Sequence, residues 1–141
     1  MDKGIYALIL RADAKTIRVG ALGGITLPEG YLIYVGSALG PGGLIRVQRH
    51  LTTSQDKRKP HWHIDYLLQD RGISLIASVS AATSSRLECS LAEAIGGDFI
   101  PRFGCSDCRC RSHLFVRPDD PEEEVTGACV SLGLIAAITR Y

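Results

Sequence analysis

The sequence predicts one small domain of mixed α/β (α+β) class, and three observations carry that reading. The 141 residues are enough to bury one core and too few for two. Short runs of β-branched and aliphatic residues, bounded by Gly, Pro and Asp, read as strands. Between them lie stretches whose apolar residues recur at helical spacing. Hydrophobic residues at 45% and charged residues at 22% match an ordinary globular domain and exclude disordered, collagen-like and coiled-coil classes.

Taken in order, Gly4 to Arg11 and Thr16 to Val19 read as two strands of a β-hairpin, with Asp13-Ala14-Lys15 as turn material. Pro28-Glu29-Gly30 leads into Tyr31-Leu32-Ile33-Tyr34-Val35, an apolar aromatic run expected as a buried central strand that ends at Gly36. A loop from Ser37 to Gly43 precedes Leu44 to Leu51. There Leu44, Val47 and Leu51 form an apolar stripe, and Arg46 and His50, four apart, share a basic face. Thr52 to Pro60 is polar and basic, as a surface loop is. His61 to Leu68 fits alternation and a helix about equally after Pro60, and a short helix is favoured.

Ile73 to Val79 reads as a further strand. Ser84 or Ser85 could cap a helix from Arg86 to Ile95 that stops at Gly96-Gly97, with Leu87, Leu91 and Ile95 as its apolar seam. Ser112 to Arg117 is expected as the last strand. Residues 1–118 would form the body, and 119–141 an acidic linker with a C-terminal helix, Val125 to Ile138, packed on the same domain. No internal repeat is evident.

The net charge of +1 points to neither nucleic acid nor membrane, but it is unevenly spread. Five acids (Asp119, Asp120, Glu122, Glu123, Glu124) and one base, Arg140, follow Pro118, which leaves residues 1–118 basic. Met1-Asp2-Lys3-Gly4 opens without the basic and apolar regions of a signal peptide, and no stretch is long enough to span a bilayer. Five cysteines, three of them within Cys105 to Cys110, do not look like a secreted disulfide framework, so reduced thiols and a cytoplasmic location are expected.

Two tripeptides stand out: Gly4-Ile5-Tyr6 on the first strand and Tyr34-Val35-Gly36 at the end of the third, followed by Arg46 ten residues beyond Gly36 and His50 four later. In this ordered set the chain resembles the GIY-YIG nuclease superfamily. It is most similar to the small Uri-type endonuclease-like branch, whose segments resemble Tyr34-Val35-Gly36-Ser37, His63-Ile64-Asp65-Tyr66-Leu67-Leu68 and Ser106-Asp107-Cys108-Arg109-Cys110. The resemblance covers roughly residues 4–117. It implies a mainly antiparallel central sheet flanked by helices, and divalent-metal-dependent hydrolysis of DNA phosphodiesters, by analogy in DNA repair or branched-structure processing.

The chemistry such a site needs is an activated water, a cation at the crowded phosphorus and support for the leaving oxygen. The resemblance places Tyr6 and Tyr34 with their hydroxyls toward the phosphate, one of them taking the proton of the water. A phenol has an ordinary pKa of about 10, so that role requires a shifted value. Arg46 would fork onto the phosphate oxygens, a geometry Lys does not offer. His50 and His63, with His61 as a further candidate, could move a proton or touch phosphate. Mg²⁺ or Mn²⁺ would take one helix carboxylate and keep most of its waters. Glu88 and Glu93 lie about 140° apart on a helical wheel, and Glu88 adjoins the apolar seam, which favours it with Glu93 as the alternative.

Ser37, Arg49, Lys57, Arg58, Lys59, Arg102, Arg109 and Arg111 are candidates to track a nucleic-acid backbone, or are ordinary solvated polar surface. Cys105, Cys108, Cys110 and His113 form a possible Zn²⁺ set, although nine residues are a tight span for four ligands and buried reduced thiols are favoured. Gly40-Pro41-Gly42-Gly43 lacks the Gly-Lys-Ser/Thr ending of a nucleotide loop.

One departure from the superfamily matters. Many members carry a late Asn after a Pro-x-aromatic pattern, whereas Gly104 follows Pro101-Arg102-Phe103 and the chain has no Asn. Two alternatives to an endonuclease are therefore a non-catalytic nucleic-acid-binding module on the same scaffold and a zinc-stabilised interaction module.

Overall fold

A computed structural model of the chain describes residues 2–55, 59–60, 62–104 and 110–141. The elements are β1 (Gly4–Ala12), β2 (Lys15–Val19), β3 (Gly23–Leu27), β4 (Gly30–Ala38), α1 (Ile45–Gln55), α2 (His63–Leu68), β5 (Ile73–Ala82), α3 (Glu88–Ile95), β6 (Leu114–Arg117), α4 (Glu122–Ser131) and β7 (Ala137–Arg140). Five strands form an antiparallel sheet in the order β6-β4-β1-β5-β7, and β2 and β3 make a separate two-stranded ribbon. The mixed α/β class with a central antiparallel sheet and flanking helices is thus the one expected.

β1 sits in the middle of the sheet and is buried along almost its whole length. Successive side chains of a strand point to opposite faces, and β1 divides accordingly. Tyr6, Leu8 and Leu10 join a core with Val47 of α1, Ile64 and Leu67 of α2 and Ile17 and Leu27 of the ribbon. Ile5, Ala7 and Ile9 join a second core with Leu91 and Ile95 of α3 and Val125 and Ala128 of α4. The domain is therefore three layers, with α1, α2 and the ribbon on one face of the sheet and α3 and α4 on the other.

Several expected elements differ from those observed. β1 does not form a hairpin with β2, because both of its edges are taken by β4 and β5, and β2 pairs with β3 instead. The continuous apolar run of β1 is the signature of a strand buried on both faces, which cannot be one arm of an isolated hairpin. α1 continues past Leu51 to Gln55, and the hydroxyls of Thr52 and Thr53 donate back to the carbonyls of Gln48 and Arg49. α3 begins at Glu88 with neither Ser84 nor Ser85 as cap, and it ends at Gly96 and Gly97, both at positive φ, as expected.

The C-terminal helix is also shorter than expected. Gly133, at φ 78°, stops the chain turning after Ser131, and Ala137–Arg140 adds an edge strand beside β5. Glu122, Glu123 and Glu124 of the acidic segment form the first turn of α4. Glu124 pairs with Arg117 at 2.8 Å and Glu122 with Arg140 at 2.6 Å, tying α4 to β6 and β7 on the face away from Tyr6. Among the described residues no helix is long and apolar enough to cross a membrane.

The thiols are not all reduced. Cys89 of α3 and Cys110 are joined by a disulfide across 21 residues, while Cys129 is free and buried.

Candidate functional site

The antiparallel register of β1 and β4 sets Tyr6 opposite Gly36 and brings Tyr34, two residues earlier, to the same face. A Cβ at position 36 would run into Cζ and Oη of Tyr6, so the glycine is required for the tyrosine ring to lie flat across the neighbouring strand. At position 4 a Cβ would lie 2.8 Å from Cδ2 of Leu44, just before α1. These two glycines let the two strands and the entry to α1 close together.

α1 then lays Arg46 and His50 over the tyrosines. The Tyr6 hydroxyl hydrogen bonds Nε2 of His50 at 2.7 Å, and the two rings are tilted with centroids 5.4 Å apart. The Tyr34 ring meets His50 edge-on at 6.3 Å and Phe103 at 6.0 Å. Arg46 donates from Nη1 to the Ser37 carbonyl at 3.0 Å and places its guanidinium 5.2 Å from the centre of the Trp62 ring. That ring in turn meets His50 edge-on, so Trp62 is a wall shared by both basic side chains.

Burial and charge fix the resting protonation states. Burial pushes the Tyr6 phenol well above its ordinary value, with the neighbouring Tyr34 and the Glu88 carboxylate adding to it and Arg46 opposing. Burial holds His50 down at about 4, with Asp65 pulling it up and Arg46 pushing it further down. At neutral pH the pair is therefore a neutral phenol against a neutral imidazole.

Glu88, in the first turn of α3, is felt by Tyr6, and its Oε1 lies 3.5 Å from Nε2 of the buried His113. Glu93 is exposed and lines a separate cleft of about 350 Å³ with Gly96, Phe99 and Arg111. Tyr6, Tyr34, Arg46, His50 and Glu88 are thus brought together, and Glu93 is not among them. His63 stands one layer back. Its Nδ1 accepts the Gly104 N–H at 2.9 Å and its ring packs on Phe103, which also carries Tyr34. Burial lowers its pKa, so it too is a neutral acceptor.

The other candidates are more scattered. Ser37 serves Arg46 through its backbone carbonyl. Arg49 and Lys59 are exposed. Arg102 and Arg111 are exposed neighbours, linked by the Arg102 N–H donating to the Arg111 carbonyl at 2.8 Å. Lys57, Arg58, His61, Cys105, Cys108 and Arg109 lie outside the described residues. The metal-ligating cluster that forms among the described residues is Cys89, Cys110 and His113, so Cys89 enters a group that sequence spacing had drawn without it.

Two residues of the site had no role assigned from sequence. Trp62 is the chain's one tryptophan, and it is 44% exposed while shielding Arg46 and His50. Asp65 is buried in the first turn of α2, accepts the Trp62 N–H at 2.9 Å and is the carboxylate nearest in effect to His50. Its signal was an acid flanked by Ile64 and Leu67, on a face otherwise apolar.

A small three-layer α/β domain with tyrosines, an arginine and a histidine converging on one face, and a carboxylate at the start of a helix from the other layer, is the class defined by this geometry. The chain belongs to the family described as domain of unknown function DUF123, which matches residues 5–134 and so spans the fold from β1 to the end of α4. No curated protein and no solved structure matches it.

Proposed function

We propose that this protein is a GIY-YIG-type endonuclease that hydrolyses DNA phosphodiesters with Mg²⁺ or Mn²⁺. The observation that carries the reading is the contact of Tyr6 with His50 at 2.7 Å, beside Tyr34, Arg46 and Glu88. Core packing alone does not demand two tyrosines, a buried imidazole and a guanidinium on one another. A hydrolase that must move a proton and steady a phosphate does.

Tyr6 is the general base in this reading. Its O–H donates to Nε2 of the neutral His50, which holds the phenol oxygen in place and can take the proton as the phenol takes one from water. In the resting site the proton stays on Tyr6, because burial and the Glu88 charge both oppose the phenolate. Arg46 works in the opposite sense. It stabilises a phenolate, and its remaining N–H groups are placed to fork onto phosphate oxygens as charge builds in the transition state.

Glu88 fits the single carboxylate a hard cation requires, being only partly exposed and close enough to influence Tyr6. A divalent cation held there would polarise the phosphate and offset the Glu88 charge that raises the phenol. Tyr34 lines the same face and orients the phosphate. Exposed Arg49, Lys59, Arg102 and Arg111 supply the salt-dependent hold on the DNA backbone.

The absence of any Asn favours a second reading, a DNA-binding module without turnover. One experiment separates the two. Wild type and Glu88→Gln are incubated with supercoiled, single-stranded and branched DNA in Mg²⁺, Mn²⁺ or EDTA. Metal-dependent nicking by wild type and not by Glu88→Gln supports the nuclease, and salt-sensitive binding without nicking supports the module.

A further inference from the structure

We propose that reducing the Cys89–Cys110 disulfide turns that junction into a Zn²⁺ site, with Cys89, Cys110 and His113 as ligands and water in the fourth position. The ligand atoms of the first three already lie within 4.8 Å of one another. They come from two separate parts of the chain, the first turn of α3 and the segment leading into β6, as closed structural zinc sites usually do.

The distances suit a tetrahedral shell. With bonds of about 2.3 Å to sulfur and 2.0–2.1 Å to nitrogen or oxygen, the edges of such a tetrahedron run from about 3.3 to 3.8 Å. Nε2 of His113 lies 3.3 Å from Sγ of Cys110. The ring nitrogen of His113 therefore faces a ligand sulfur at an edge length the shell allows. Only the two bonded sulfurs have to separate, which is what reduction does.

The change of state balances. A dithiol reductant supplies two electrons and two protons, the S–S bond breaks to give two thiols, and the reductant becomes its own disulfide. As Zn²⁺ binds, both thiols release their protons to solvent and coordinate as thiolates. In either state α3 stays tied to the strand-6 side of the sheet, covalently when oxidised and through the metal when reduced. This reconciles a cysteine pattern unlike that of a secreted scaffold with a structure in which two of the sulfurs are joined. The inference does not rest on phosphodiester chemistry, since its ligands are sulfur and imidazole and its readout is metal binding.

The test uses Co²⁺ as a spectroscopic substitute for Zn²⁺ on the full chain, oxidised and after reduction under argon. The reduced protein is expected to bind one Co²⁺ with intense tetrahedral d–d bands and a thiolate-to-cobalt absorption that Zn²⁺ displaces. The oxidised protein should show neither. Cys89→Ser and Cys110→Ser should each weaken binding on the order of 100-fold.

Because a Cys variant can fail to fold, thiol alkylation of the wild type supplies a second measurement. Zn²⁺ should protect Cys89 and Cys110 from iodoacetamide, read by peptide mass spectrometry. The proposal is overturned if the reduced protein shows no tetrahedral spectrum, if Cys89→Ser binds as wild type does, or if zinc leaves Cys89 and Cys110 unprotected.

Discussion

The hydroxyl of Tyr6 and Nε2 of His50 meet at 2.7 Å, a buried hydrogen bond between the central strand and the first helix across 44 residues of sequence. Both partners are buried, and the Tyr6 hydroxyl is also hydrogen bonded by Arg46. Removing the Tyr6 hydroxyl leaves the buried Nε2 of His50 without that donor, which costs about 1–3 kcal/mol.

Tyr6→Phe keeps the ring and deletes the hydroxyl with its bonds to His50 and Arg46. The variant is expected to lose about 1–3 kcal/mol of stability by urea denaturation. Cleavage should fall by about 10²–10⁴-fold, the usual worth of a positioned base. A variant that cuts DNA at the wild-type rate would remove Tyr6 as the proposed base.

Arg46→Lys separates charge from geometry. Lys keeps the positive charge beside Tyr6 but cannot hold Ser37, stack on Trp62 and fork onto a phosphate at once. Cleavage should drop by about 100-fold or more, with a stability change within about 1 kcal/mol. Equal loss of cleavage and of folding would make Arg46 a structural residue.

Gly36→Ala tests the closeness of the strands. Its Cβ has no room beneath Tyr6, so overpacking should cost about 1–3 kcal/mol. In a Tyr6→Ala background the obstructing ring is gone, and most of that cost should vanish. A double-mutant cycle that turns out additive would contradict the contact.

His50 predicts an acid-sensitive fold. Its folded pKa, about 4, lies below the ordinary value of 6.5, so between those pH values the unfolded chain binds more protons than the folded one. Stability from this source is complete above about pH 6.5 and is lost as pH falls toward 4. At 1.4 kcal/mol per unit the loss is about 3 kcal/mol. His63 and His113 are shifted down by burial as well and act in the same direction. His50→Gln should therefore show a shallower, not a flat, fall in unfolding free energy from pH 6.5 to 4, and identical slopes would remove His50 as the main sensor.

The strands and helices that depend on local pattern were legible. β4 was readable from its apolar aromatic run, α1 from its stripe of Leu44, Val47 and Leu51, and the end of α3 from Gly96-Gly97. Tyr6, Tyr34, Arg46 and His50 could be picked out because their order and spacing survive in one dimension. Glu88 could be preferred to Glu93 because a helix converts residue spacing into direction.

What the sequence determined by itself was therefore whatever is fixed by neighbours a few residues apart: element type, helix face and the tripeptides. Only the tertiary structure decided which partners meet across long separations. It paired β1 with β4 and β5 rather than β2, brought Cys89 to Cys110, and set Trp62 over Arg46 and Asp65 near His50. Those choices follow from burying both faces of one central strand at once, a requirement on the whole chain that no short window of residues contains.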